Sequence, residues 1–199
     1  MKRTDVYRNI HKAIRMMLFD LVQKSQHADF TNAASVATLR VTVRDIFELL
    51  EGHAHKEDQF IMPLVRKASV TLEREFAEQH EDQEARLPGL LAALESFDAH
   101  AVDADAKGHA IMVQITRIAG ELLTHMADEE LRLNPAMWAS LTDEEIGDAE
   151  QRLVASVPPE TMGRYLRWMI PALNEAEREA FIAILPPPAQ TFVATLLPA

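Results

Sequence analysis

Two stretches of this chain carry one pattern: a His, a carboxylate four residues on, a second carboxylate beside it, and a Pro ten residues after the His. They read His53, Glu57, Asp58, Pro63 and His125, Glu129, Glu130, Pro135. In a helix, residues i and i+4 stand side by side on one face, so each stretch presents an imidazole next to a carboxylate, as two ligands of one metal site require. The sequence therefore predicts long helices that hold a duplicated metal-binding half-site.

The rest of the chain agrees with helices. It has only six Gly in 199 residues and no alternating Val/Ile/Thr runs. Helix A is expected from a cap at Thr4 or Asp5 to about Lys24, with Val6, Ile10, Ile14, Met17, Leu18 and Leu21 as its apolar stripe. Helix B is expected over 33–62, with Pro63 ending or kinking it, and helix C over 72–97, bent by Pro88. Helix D follows a turn at 103–108 and stops near Leu133, at Asn134 and Pro135. With short connections these four predict an all-α fold, an antiparallel up-down-up-down four-helix bundle over residues 1–137.

Residues 138–199 form a separate set of short helices. Thr142 and Glu145 make a capping box for a helix to about Ser156, Pro158 and Pro159 open another carrying Tyr165, Leu166, Trp168 and Met169, and Asn174 with Glu177 caps a third. Pro186, Pro187 and Pro188 lead into an apolar tail. Such short helices need a surface to pack on. They either dock on the bundle or form a homodimer contact through Phe181, Ile184, Leu185, Phe192, Leu196 and Leu197.

The bundle topology tests the repeated motif. His11 on helix A and His80 on helix C each stand about 15 to 20 residues from a turn, while His53 and His125 stand about 19 to 21 residues beyond the same turns. At about 1.5 Å per residue all four His fall roughly 22 to 32 Å from the turns, in one layer near the other end of the bundle. Glu84 follows His80 at i+4, where the corresponding place after His11 is Arg15. The candidate ligands are therefore His11, His53, Glu57, His80, Glu84, His125 and Glu129. They are too many for one transition metal and suit two, with Glu57 and Glu129 spanning both. Arg15 opposite Glu84 predicts a lopsided site in which the metal of His11 and His53 keeps an open position.

Composition narrows the chemistry. Without Cys there is no thiolate, disulfide or Fe–S cluster, and a reducing cytoplasm fits. A formal charge of −11 argues against binding nucleic acid or anionic membrane. No apolar run reaches the length of a membrane span, and residues 1–5 open into an amphipathic helix instead of a signal peptide.

In their order and spacing these residues resemble the hemerythrin family, in its HHE cation-binding branch. The likeness covers about residues 5–137 and rests on His11, the His53 to Asp58 stretch with Phe60 and Pro63, His80 with Glu84, and His125 with Glu129 and Glu130. It implies a four-helix bundle around two iron ions with a bridging oxo or hydroxo group and with Glu57 and Glu129 as bridging carboxylates. Zinc or manganese also suits these ligand types. Family members bind or sense O2, sense iron, or react with peroxide or nitric oxide. Oxygen carriers of the family have a His where Glu84 stands and an Asp one residue further from the last His, so Glu130 competes with Glu129 as ligand. The extra carboxylate favours the ferric state over reversible O2 carriage.

The expected function is therefore a non-haem di-iron protein that binds O2 or a related small oxidant for oxygen or iron sensing or redox defence. The alternatives are a peroxidase or nitric-oxide-handling oxidoreductase and an iron-responsive interaction protein. His55, Asp58 and Glu130 point away from the neighbouring ligands and read as surface or supporting groups. Tyr7, one turn before His11, reads as a hydrogen-bond donor, a redox phenol or packing. Met16, Met17, Met62, Met112 and Met126 read as core.

Overall fold

The computed structural model describes residues 3–197. Met1 and Lys2, which begin the amphipathic opening read above, lie outside them. All regular structure among the described residues is helical.

Helix α1 (Arg8–His27) buries His11, Ala13, Ile14, Met17, Leu18 and Leu21. It starts later than Thr4 or Asp5 because Asp5 acts from outside the helix, its Oδ1 accepting the N–H groups of Tyr7 (3.3 Å) and Arg8 (3.1 Å). Helix α2 (Ala33–Lys56) opens on Asn32, whose side chain accepts from Ala34 and Ser35. Pro63 neither ends nor kinks it in the way expected. A widened π turn, Glu57–Ile61, carries the chain into α3 (Met62–Ala68), with Pro63 in its first turn. Helix α4 (Val70–Glu95) runs through Pro88, capped by Ser69.

Helix α5 (Ala104–Asp128) repeats the device: a π turn, Glu129–Leu133, leads into α6 (Asn134–Ser140), so Asn134 and Pro135 begin a helix and do not stop one. In both π turns the carbonyl of the first residue, Glu57 or Glu129, takes its bond from a residue five places on, Met62 or Asn134. A proline has no N–H to offer the preceding turn and crowds its carbonyl; widening that turn relieves both faults without breaking the helix. In each repeated motif the Pro thus follows a π turn that begins at the motif Glu, whereas Pro88 sits in α4 without one.

The start of α5 also departs from expectation. Gly108 lies inside the helix, not in a turn, and its lack of a side chain lets Phe30 from the first interhelical loop pack onto it: a Cβ there would stand 2.1 Å from the Phe30 Cγ.

Helices α1, α2, α4 and α5 pack in a closed ring, each against the next, as the up-down-up-down bundle requires. Their main apolar core includes Ile14, Leu18, Val43, Ile46, Leu50, Leu90, Leu94, Ile115 and Ile118. A second core, with Ile61, Met62, Val65, Phe76, Leu133, Met137 and Ile146, lies beyond the motif residues, where α3 and α6 pack together. The motif layer is therefore sandwiched between two cores and not at the bundle's end, since neither proline ends its helix.

Helices α7 (Asp143–Ala155), α8 (Pro159–Ala172), α9 (Glu175–Ile184) and α10 (Pro187–Ala194) complete the chain; the apolar tail thus contains a helix. Helix α7 packs on the first π turn, and α8 lies along α1 with the Tyr165 hydroxyl donating to the Leu49 carbonyl of α2 (2.5 Å). Glu177 caps α9 and pairs with Arg8 and Lys12 of α1. Phe181, Leu185, Phe192, Leu196 and Leu197 pack around Leu166, Ile170 and Val193 within the chain, while Ile184 is 79% exposed.

Two glycine substitutions in α5 should move stability in opposite directions. Gly108→Ala is expected to cost about 1–3 kcal/mol by forcing Phe30 aside, whereas Gly120→Ala, with nothing within 4 Å of its Cβ, should gain about 0.5–1 kcal/mol in helix propensity. Urea midpoints measure both. A neutral Gly108→Ala would contradict the close approach.

Candidate metal centre

Each motif delivers its His from the last turn of an α-helix and its Glu from the first residue of a π turn. Together with His11 of α1 and His80 of α4 they form two groups, His11–His53–Glu57 and His80–His125–Glu129, the ligand atoms within each lying within 4.8 Å of one another. Apart from His53, which is only slightly exposed, all six side chains are buried.

The carboxylates join the groups. Glu57 Oε1 stands 3.2 Å from His53 Nε2 and 3.7 Å from His11 Nε2, while its Oε2 stands 3.7 Å from His80 Nε2. Glu129 mirrors it, with Oε1 3.3 Å from His125 Nε2 and 3.7 Å from His80 Nε2, and Oε2 3.4 Å from His11 Nε2. His80 Nε2 and His125 Nε2 are 3.0 Å apart. Atoms spaced in this way suit cations about 2.1 Å from each of them.

The donor set fits metal ions on an independent ground. The Nε2 atoms of His11 and His53, Glu57 Oε1 and both carboxylate oxygens of Glu129 are buried without a hydrogen-bond partner, and all belong to this one layer. Buried polar atoms are rarely left unpaired. Cations would satisfy such a cluster of unpaired buried atoms.

The outer faces of the rings are held by hydrogen bonds. Glu130 Oε1 pairs with His11 Nδ1 at 2.9 Å, Asp58 Oδ1 with His80 Nδ1 at 2.7 Å, and Gln79 Oε1 with His125 Nδ1 at 2.8 Å. The second acid of each motif therefore orients the His of the other half. A carboxylate behind an imidazole fixes its tautomer and leaves Nε2 free for a metal. Arg15 donates to Glu130 at 2.8 Å, steadying this outer pair. Gln79 carried no signal in the sequence; the equivalent place before His11 is Ile10.

Glu84 is not brought to either group. Its Oε1 lies 3.0 Å from Nε2 of His55 on the neighbouring helix, and it lines a cleft of about 420 Å³, counted with its solvent-open part, between α2, α4 and α5 that reaches His80. Without it the two groups have the same composition. The lopsidedness comes from outside them: the cleft on the His80 side, Tyr7 on the other. The Tyr7 ring lies 5.1 Å from that of His11, and its buried hydroxyl has no partner. Burial, with the charges of Glu129, Glu57 and Asp5, pushes the phenol well above its ordinary range, so it keeps its proton. His27, His100 and His109 join no such group among the described residues.

Burial pushes His11 down, but its hydrogen bond to Glu130 and the nearby carboxylates of Glu57 and Glu129 outweigh that and hold it at about 9. The same contest at His80, with Asp58 and Glu129 as partners, holds it at about 10. Burial keeps His53 below its ordinary value, and Glu129 is held down against burial by His125 and His80.

Among known protein families, the hemerythrin HHE cation binding domain matches residues 3–137. No curated protein sequence and no solved structure matches the chain.

Because His11 and His80 hold protons at neutral pH in the metal-free chain, a metal must displace them. Affinity should fall as pH drops and rise towards pH 9–10, by about tenfold per pH unit for every proton displaced. Chelator competition at several pH values measures this, and a pH-independent affinity would contradict the proton-bearing site.

Proposed function

As a member of the hemerythrin HHE cation-binding family, this chain, we propose, holds two iron ions and uses them to bind O2 or a related small oxidant in sensing or redox defence. The observation that carries this reading is the split of each central carboxylate, one oxygen towards each His group. His11, His53 and Glu57 would hold one ion, His80, His125 and Glu129 the other, with both Glu shared. Bound iron would supply the electrons and open coordination that a small oxidant needs.

The protein's own part is orientation, charge and exclusion of water. Asp58 and Glu130 place negative charge behind His80 and His11, which makes these rings stronger donors and favours the oxidised ions. The charge expected from Glu84 is thus supplied one shell further out. The second core and α8 keep bulk solvent from the layer, leaving the cleft at His80 as an approach for a small molecule. These features favour sensing or redox chemistry over reversible O2 carriage.

Metal analysis of protein purified without oxygen, followed by its absorption spectrum on admitting O2, tests the reading. Two irons per chain and new visible absorption are expected, with both lost in a His53→Ala, His125→Ala double variant. Less than one metal per chain, unchanged in that variant, would sink it. The outer acids give a second measure. Asp58→Asn and Glu130→Gln should each raise the midpoint potential of the iron-loaded protein, and an unchanged or lower potential would remove them from the redox role.

A further inference from the structure

Tyr7 is among the most buried side chains in the protein, at 1% exposure, yet its hydroxyl has no partner. It belongs to the second core with Ile61, Met62, Val65, Phe76, Leu133 and Met137, whose side chains carry no N or O acceptor. A phenylalanine would fill the same space without stranding a donor, so the hydroxyl weakens the resting fold instead of supporting it.

The ring borders the metal layer. It tilts against His11 at 33°, and the charges it senses are those of Glu129, Glu57 and Asp5. Asp5 is already engaged by the Tyr7 and Arg8 N–H groups and by Asn134 Nδ2 at 2.8 Å. Glu57 and Glu129 lie near but neither accepts from the hydroxyl, since their oxygens face the His rings.

The segment bearing Tyr7 is also clamped. Arg3 donates to the Trp138 and Leu141 carbonyls at 2.7 and 2.8 Å and pairs with Asp143, and Trp138 Nε1 donates to the Thr4 carbonyl at 2.6 Å. A stranded donor held rigidly at the edge of a cation site is preorganised for a ligand that arrives later.

We propose that Tyr7 is a ligand-binding residue: its O–H donates a hydrogen bond to a small anionic or dipolar molecule taken up at the metal centre on the His11 side. The inference rests on reading the layer as a metal centre, and it names a group there that selects what binds.

Azide is a suitable probe. Iron-loaded wild-type protein and Tyr7→Phe are titrated with azide by visible absorption, iron is counted per chain, and the thermal midpoints of both metal-free proteins are compared. The expected result is equal iron, an azide dissociation constant about tenfold higher in Tyr7→Phe, from the loss of one hydrogen bond to a charged group, and a metal-free midpoint equal or higher. Equal azide affinity at equal iron overturns the inference and leaves the metal centre standing. Loss of iron from Tyr7→Phe overturns it by making a ligand carboxylate the partner, and a lower metal-free midpoint overturns it by revealing a partner in the resting fold. Wild-type protein that takes up no iron overturns the reading of the centre, and the inference with it.

Discussion

The burial of four imidazoles and two carboxylates in one layer is the constraint on which the rest of this fold turns. Polar groups so far from water destabilise a protein unless each finds a partner. Three of the four rings find theirs on the outside, in Glu130, Asp58 and Gln79. On the inside the same rings and carboxylates face one another, with His11 Nε2, His53 Nε2, Glu57 Oε1 and both Glu129 oxygens unpaired, an interior that cations would complete.

Much else in the architecture serves to hold this layer still. At the start of the π turns Glu57 and Glu129 face the centre while Asp58 and Glu130 reach the opposite half, so each half braces a ring of the other. Beyond the layer the helices continue into a second core, closing it from the far side. Helix α8 lies along α1, and Glu177 of α9 ties Arg8 and Lys12, which flank His11 in sequence. The short C-terminal helices thus stiffen the helix that supplies a ring with no motif of its own. Two groups of equal composition come to differ in their surroundings, one beside a stranded phenol and the other beside a cleft.

How far this was legible in the sequence differs from residue to residue. The four His and the two motif Glu were readable because i and i+4 spacing survives in any helix, and because helix lengths carry the rings to one level. Pro63 and Pro135 were visible but read as stops; a local rule cannot tell whether a helix breaks or widens when the following residues still have a core to bury. Gly108 looked like a turn for a similar reason, its need arising from Phe30, 78 positions earlier in the chain.

Glu84 marks the boundary most clearly. Its spacing from His80 matches that of Glu57 from His53, yet His55 of a neighbouring helix lies beside it, and α4 has no π turn there. By itself the sequence determined the helices, the level of the four rings, and a chemistry of imidazole and carboxylate without thiolate, since these depend on residue type and on spacing within one helix. The tertiary structure alone decided which acid faces the centre and which stands behind a ring, that the layer lies between two cores, and that Tyr7 reaches it without a partner. Those outcomes depend on the phase of one helix against the next, which no spacing along a single helix encodes.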